Sequence, residues 1–465
     1  MPHDMNELRQ RAADHGQDHI FAFWDELDEP RREHLLEEVG AVDFDLVRTL
    51  GESLGRPAAD GDVAFDPPEL FALERGTREE ERAQTARAHG AELLSAGKVG
   101  FLLVAGGQAS RLGYEGPKGA FPVGPVSERS LFEIHARRLR AAAERHGTRT
   151  PWYVMTSPAN DATTREFFAE HAHFGLPPED VSFFSQAMLP ALDLEGRILM
   201  AGKHRLFLAP NGHGGVLAAL AQSGCLADAR ERGVELFSYF QVDNPLVRPA
   251  DPLFIGLHAL EGARMSSKVV SKRDAGEKVG VIGSADGQLG CIEYSDLPPT
   301  LREARDAEGR LVFGAGNIAV HAIDLDFIDE LTRDGLELPW HIARKTMKVI
   351  DGRGELVEVA GAKFEAFVFD ALGKSPASVT LEVERGLEFS PVKNAEGEDS
   401  PASARHDLCR LFGDWVTAAG LPLPPGAGEE LPAVEVDPLL AEDRESFLQA
   451  APHSPQTRGS GHLYE

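Results

Sequence analysis

Val99-Gly-Phe-Leu-Leu-Val-Ala-Gly-Gly-Gln-Ala-Ser-Arg-Leu-Gly-Tyr-Glu-Gly-Pro-Lys118-Gly119 is the stretch on which the fold turns. Residues 99–105 form a continuous apolar run, which fits a strand covered on both faces, as in a parallel sheet. Gly106 and Gly107 end it, and glycines let backbone N–H groups approach a phosphate or base with no Cβ in the way. Arg111 and Lys118 then place two cations on the same loop, and Gly116-Pro117 restricts the turn that presents the lysine. The spacing is neither G-x4-G-K-[ST] nor G-x-G-x-x-G, so this is not a Walker loop or a dinucleotide fingerprint.

Outward from this loop, strand and helix patterns alternate. A helix carries Leu131, Ile134, His135, Arg138 and Leu139. Strand candidates follow at Trp152–Thr156, Val181–Phe184 and Glu235–Val242, with helices around Thr164–Phe168 and Val216–Cys225. Alternation of this kind predicts an α/β, doubly wound, Rossmann-like core whose ligands gather at the C-terminal strand ends. Beyond about residue 265 the pattern is denser in β, as expected of an antiparallel extension. We divide the chain into an N-terminal helical region (1–97), a catalytic domain (98–398), a C-terminal helix with a small module (399–452) and a polar, mobile tail (453–465). In the first region one helix opens at Asp28-Glu29-Pro30, and another at Thr77 with Glu80 as a capping-box partner. Residues 56–68 read as a loop.

The 465 residues carry 47 Lys+Arg and 75 Asp+Glu, for a net charge of −28. That sign opposes binding to nucleic acid or an anionic membrane surface, but leaves room for small anionic substrates met by local cations. Cys225, Cys291 and Cys409 are few and far apart, so no disulfide framework or zinc ribbon is expected. His171-Ala-His173 lacks further ligands and reads as a surface pair. The first residues have no apolar h-region and no run reaches membrane-span length, so the expected location is cytoplasmic.

The loop closely resembles the L-x-G-G-x-G-T-R-L-G-x-x-x-P-K signature of the eukaryotic-type UDP-sugar pyrophosphorylases, above all those for UDP-N-acetylglucosamine. The likeness continues in order through Phe184-Ser-Gln-Ala-Met-Leu-Pro190, Ala209-Pro-Asn-Gly-His-Gly-Gly215 and Val242-Asp-Asn244. It extends to Gly314-Ala-Gly-Asn-Ile-Ala319, Phe367-Val-Phe-Asp370 and Glu388-Phe-Ser-Pro-Val-Lys-Asn394, spanning about residues 19 to 440. The resemblance implies a uridylyltransferase that joins UTP and a sugar 1-phosphate to give a UDP-sugar and pyrophosphate. The attacking phosphate oxygen is already anionic, so catalysis rests on charge neutralisation and alignment rather than on a general base.

The resemblance also assigns roles. Val104, Ala105, Gly106, Gly107 and Lys118 would contact UTP, with Arg111, Lys118 and Lys363 as the neutralising cations. Gln186 and Gly212 would read uracil. Asp243, at a strand end, suits nucleotide and Mg2+ binding, and Asp370 is a second metal candidate. Gly280, Glu293, Tyr294 and Asn317 fall at sugar positions, Phe367 and Phe369 at the pocket wall, and Lys393 at the sugar-nucleotide phosphates. His213 departs from the pattern. N-acetylhexosamine enzymes usually carry Asn there, whereas UDP-glucose and broad UDP-sugar enzymes carry His. Sugar identity therefore stays open at this point, and an inactive UDP-sugar sensor is the alternative from another class.

Overall fold

The computed structural model describes residues 4–55, 63–426, 431–450 and 454–465. The chain forms two compact units, each assembled from three segments. One comprises Met1–Asp62, Gln186–Gly215 and Glu337–Asp370, and the other Val63–Ser185, Val216–Leu336 and Ala371–Glu465.

The larger unit is built on a sheet with eleven strands among the described residues. Its heart is four parallel strands, Val181–Ser185, Trp152–Thr156, Val99–Val104 and Leu236–Gln241, in that spatial order. Val99–Val104 is therefore central: Trp152–Thr156 and Val181–Ser185 build out on one side of it, and the next parallel strand, Leu236–Gln241, returns to its other side. This is a topological switch point, where connections leaving adjacent strand ends diverge and open a crevice. Val104 pairs with Gln241, so Gly106-Gly107 and Asp243 emerge side by side at that point. Phe101, Leu102 and Leu103 are fully covered, as the apolar run predicts.

The expected antiparallel extension is present and continues the same sheet. Ala315–Asp324 runs antiparallel to both Leu236–Gln241 and Met265–Ser271, and a hairpin of Val281–Ala285 and Gln288–Ile292 joins at its side. Leu131–His146 is a helix capped by the Ser130 side chain, which accepts from the Glu133 N–H, and it ends at left-handed Gly147. Its buried face, including Leu131, Ile134 and Leu139, packs into the main core.

The smaller unit has its own core. Leu35, Val39, Val47 and Leu50 from the first helices pack with Leu192, Ile198, Ala362 and Phe364. An antiparallel pair, His341–Ile350 with Leu356–Glu365, supplies much of its sheet, and Leu192-Asp193 adds to one edge.

Three of the expected boundaries require correction. The 1–97 region is not one body: its first helices bury their apolar stripes against segments near residues 190 and 360, while Thr77–Ser95 belongs to the larger unit. The proposed 98–398 domain is likewise shared between the two units. The last residues are not a free tail. Gln456–Arg458 and Gly461–Tyr464 are strands paired with each other and with Val434–Val436, and Leu463 and Tyr464 are buried. Two apolar side chains in a polar segment are too weak a pattern to announce a strand, yet Tyr464 fills a core with Trp415 and Phe447. The helix at Thr77 also starts differently: Gly76 is its N-cap, with no side-chain capping bond. Part of the 56–68 loop lies outside the described residues, and Phe65-Asp66 pairs with Ser284 and Ala285.

Candidate active site

In the larger unit, the glycine loop is held by a short internal ladder. Lys118 N–H donates to Gly107 C=O at 3.0 Å, and Ala109 N–H donates to Gly116 C=O at 3.0 Å. Gly119 is required by packing, because a Cβ there would lie 2.2 Å from the Phe132 ring. A Cβ on Gly107 would meet nothing within 4 Å, so the strand's end opens on free space. Two residues the sequence reading passed over brace this turn. Asn160 Nδ2 donates to the carbonyls of Ala105 and Gly107 at 3.0 and 3.3 Å, and Ser157 Oγ donates to Gly106 C=O at 2.8 Å. With these carbonyls tied back, the N–H groups of Gly106 and Gly107 are left to face an anion.

The charges follow. Lys118 Nζ lies 3.7 Å from Asp243 Oδ2, and the two side chains are 20% and 12% exposed. Arg111 is exposed, with no ion-pair partner among the described residues. Lys393 is exposed too, its ammonium 5.7 Å from the centre of the Phe389 ring. Asp243 is fixed through its backbone, its C=O accepting from Val392 N–H at 2.8 Å. These are a carboxylate and three cations of which only one is engaged by the acid, an arrangement with charge left over for a polyanion.

Also in this unit, the expected sugar residues gather around the hairpin. Asn317 N–H donates to Gly280 C=O at 2.9 Å. The Asn317 amide lies 3.6 Å from Cys291 Sγ, and its Oδ1 accepts from Ala319 N–H at 2.9 Å. A Cβ on Gly280 would stand 2.6 Å from Cys291 Sγ and 3.6 Å from Glu293 Oε1. Gly280, Glu293 and Asn317 are thus brought together, with Cys291 as an unforeseen member. Tyr294, 38% exposed, follows the second hairpin strand just beyond Ile292.

The smaller unit holds the other expected residues. Gln186 is 8% exposed, and its Nε2 donates to Gly212 C=O at 2.8 Å and to Asn211 Oδ1 at 3.2 Å. Both amide hydrogens are therefore engaged, which leaves Oε1 as an acceptor. Gly212 has φ +83° and no room for a Cβ, which would stand 2.3 Å from Ala366 C=O. His213 stacks on Phe367 at 5.1 Å, and His341 stacks on Phe367 at 4.3 Å. Val368 N–H donates to His213 Nδ1 at 3.2 Å, which puts the neutral ring's proton on Nε2. Burial, then the neighbouring His341, lowers His213 to about 4. Phe369 completes the aromatic group, 5.2 Å from Phe367. Lys363 lies with its ammonium 5.1 Å from the Phe207 ring centre. Asp370 Oδ2 is 2.8 Å from His341 Nε2, so that carboxylate already has a partner.

The comparisons with known proteins bear on this geometry. The description of the UTP–glucose-1-phosphate uridylyltransferase family matches residues 71–411. The chain belongs to that family. UDP-N-acetylhexosamine pyrophosphorylase-like protein 1 of Homo sapiens is 37% identical, covering 95% of this chain and 94% of that protein. UDP-N-acetylglucosamine pyrophosphorylase of Saccharomyces cerevisiae is 33% identical, covering 96% and 97%. Among solved structures, the uridine diphosphate N-acetylglucosamine pyrophosphorylase of Trypanosoma brucei, crystallised with an inhibitor, superimposes with a TM-score of 0.81 at 28% identity, covering 99% and 98%. Both the family and the α/β fold expected from the loop are thereby shown. No group of three or more His, Cys, Asp or Glu suited to a metal is found among the described residues.

Proposed function

We infer that this member of the uridylyltransferase family joins UTP to N-acetylglucosamine 1-phosphate, giving UDP-N-acetylglucosamine and pyrophosphate. The observation that carries the reading is the pairing of a glycine-lined strand end with Lys118 and Asp243 at the switch point of the parallel sheet. Relatives covering nearly all of the chain bear the name of this activity.

In this reading the backbone N–H groups of Gly106 and Gly107, at the end of the strand that closes with Val104 and Ala105, and the side chains of Arg111 and Lys118 take the triphosphate. The sugar phosphate oxygen attacks the α-phosphorus in line, the P–O bond to the β-phosphate breaks, and pyrophosphate leaves with the electron pair. Lys118 and Arg111 neutralise charge as it moves onto the leaving oxygens, and Lys363 and Lys393 do the same for the nucleotide and sugar phosphates. Gln186 Oε1 accepts from the uracil N3–H, which selects uracil over a cytosine ring that lacks that hydrogen. Glu293 and Asn317 take sugar hydroxyls or the acetamide.

Asp243 fits a shared Mg2+ well: one carboxylate beside a phosphate site is what this ion uses, since it keeps waters and substrate oxygens as its remaining ligands. Bound there, the ion would add positive charge at the α-phosphate. Asp370 is the poorer donor because of His341.

A second reading, in which glucose 1-phosphate is the preferred acceptor, is favoured by His213 in the place where Asn is usual in the N-acetylhexosamine enzymes. Pyrophosphate release from UTP, with and without Mg2+, across a panel of sugar 1-phosphates separates the two. Release with N-acetylglucosamine 1-phosphate is expected. Release confined to glucose or galactose 1-phosphate would establish the second reading, and no release with any sugar would leave the chain a sensor.

A further inference from the structure

Behind Asp243 lies a buried arrangement that no ligand contact explains. Asn244 is 4% exposed. Its Nδ2 donates to Glu388 C=O at 2.7 Å, and its Oδ1 accepts from Ser390 N–H at 3.1 Å. The side-chain amide thus clasps two main-chain groups of one segment, as a neighbouring strand would. Val392 N–H donates to Asp243 C=O two residues further on. Together these bonds lock Asp243-Asn244 against Glu388–Lys393.

Both sides of the clasp are anchored. On one, His135 Nε2 donates to Val242 C=O at 3.0 Å, and Arg138 donates to Pro245 C=O at 3.0 Å. On the other, Lys268 is fully buried, with its ammonium 2.5 Å from Glu388 Oε2 and 2.7 Å from Asp251 Oδ2. An ion cluster with a fully buried ammonium is rigid, because any displacement would strand that charge. The segment it anchors ends at Lys393, whose own N–H donates to Asp399 C=O at 2.6 Å.

We propose that Asn244 is a positioning residue that sets the spacing between Asp243 and Lys393 during uridylyl transfer. This rests on the reading that those two side chains serve the phosphates. Asn244 touches no substrate; it fixes where the acid at the strand end stands relative to the lysine on the facing segment. The role is demanding because charge neutralisation in phosphoryl transfer depends on alignment, and a misplacement of about 1 Å costs up to about 100-fold in rate.

Two variants test it. Asn244→Asp keeps the size but replaces the donor to Glu388 C=O with an acceptor. Asn244→Ser shortens the side chain without adding charge. For each, kcat and KM come from pyrophosphate release, UTP affinity and site stoichiometry from calorimetry, and stability from the thermal midpoint. In at least one folded variant kcat should fall about 10- to 100-fold, while UTP affinity stays within about threefold and stoichiometry stays at the wild-type value. Wild-type kcat in a folded variant with the clasp broken would overturn the proposal. So would losses that only follow a falling UTP stoichiometry, or unfolding of both variants, since either makes Asn244 merely structural. Wild-type protein with no pyrophosphate release would instead sink the reading of function.

Discussion

Lys118 and Lys268 belong to the same unit and each faces carboxylate, yet they are opposites. Lys268 is fully buried, between Asp251 and Glu388 at 2.7 and 2.5 Å. Lys118 is 20% exposed, and its single acid stands 3.7 Å away. The first lysine's charge is consumed by the scaffold. The second lysine's charge remains available, because a distant, partly solvated acid neither neutralises nor immobilises it. Burial and pairing distance thus separate a structural cation from a working one where residue type cannot.

The sharpest way to break this contrast is to remove each lysine in turn. Lys268→Ala leaves two largely buried acids without their cation and should cost about 3–5 kcal/mol, read as an early transition in chemical denaturation. Lys118→Ala should leave that curve unchanged and lower turnover about 100- to 1000-fold. An active Lys118→Ala protein, or a Lys268→Ala protein of normal stability, would erase the distinction.

Acid should sharpen it next. His135 is fully buried, donates to Val242 C=O, and is lowered by that burial to about 4. Below its ordinary pKa the unfolded chain takes up the proton first, so stability is complete above about pH 6.5 and declines toward pH 4, by about 3 kcal/mol in all. His135→Gln should flatten that slope in a denaturation series against pH. The smallest expected effect concerns His213. Its Nε2–H is a fixed donor at neutral pH, so His213→Asn should change sugar preference rather than stability. We expect the kcat/KM ratio of N-acetylglucosamine 1-phosphate over glucose 1-phosphate to rise about tenfold. An unchanged ratio would remove His213 from the sugar site.

Much of the site was readable in the chain because its signals are local. The Val99–Gly107 run predicts a covered strand and an open turn, and both are present. Lys118 is delivered to the glycines by a hairpin only eleven residues from Gly107, which sequence spacing can express. Asn160, Asn244 and Lys268 were passed over for the opposite reason. Each acts on a partner remote in the chain, and a polar residue's satisfaction by a distant carbonyl or acid leaves no periodic trace. The same cause hid the ordered C-terminal strands and the division of residues 1–97.

The sequence by itself determined the α/β class, the family and the cationic glycine loop, because apolar periodicity and contiguous motifs are written within a few dozen residues. The tertiary structure alone decided which charges are available. It placed Val99–Val104 at the switch point, tied Asp370 to His341, set the His213 tautomer and buried Lys268 between Asp251 and Glu388. Those outcomes depend on distances and solvent exclusion between segments far apart in the chain, and these exist only once the core has closed.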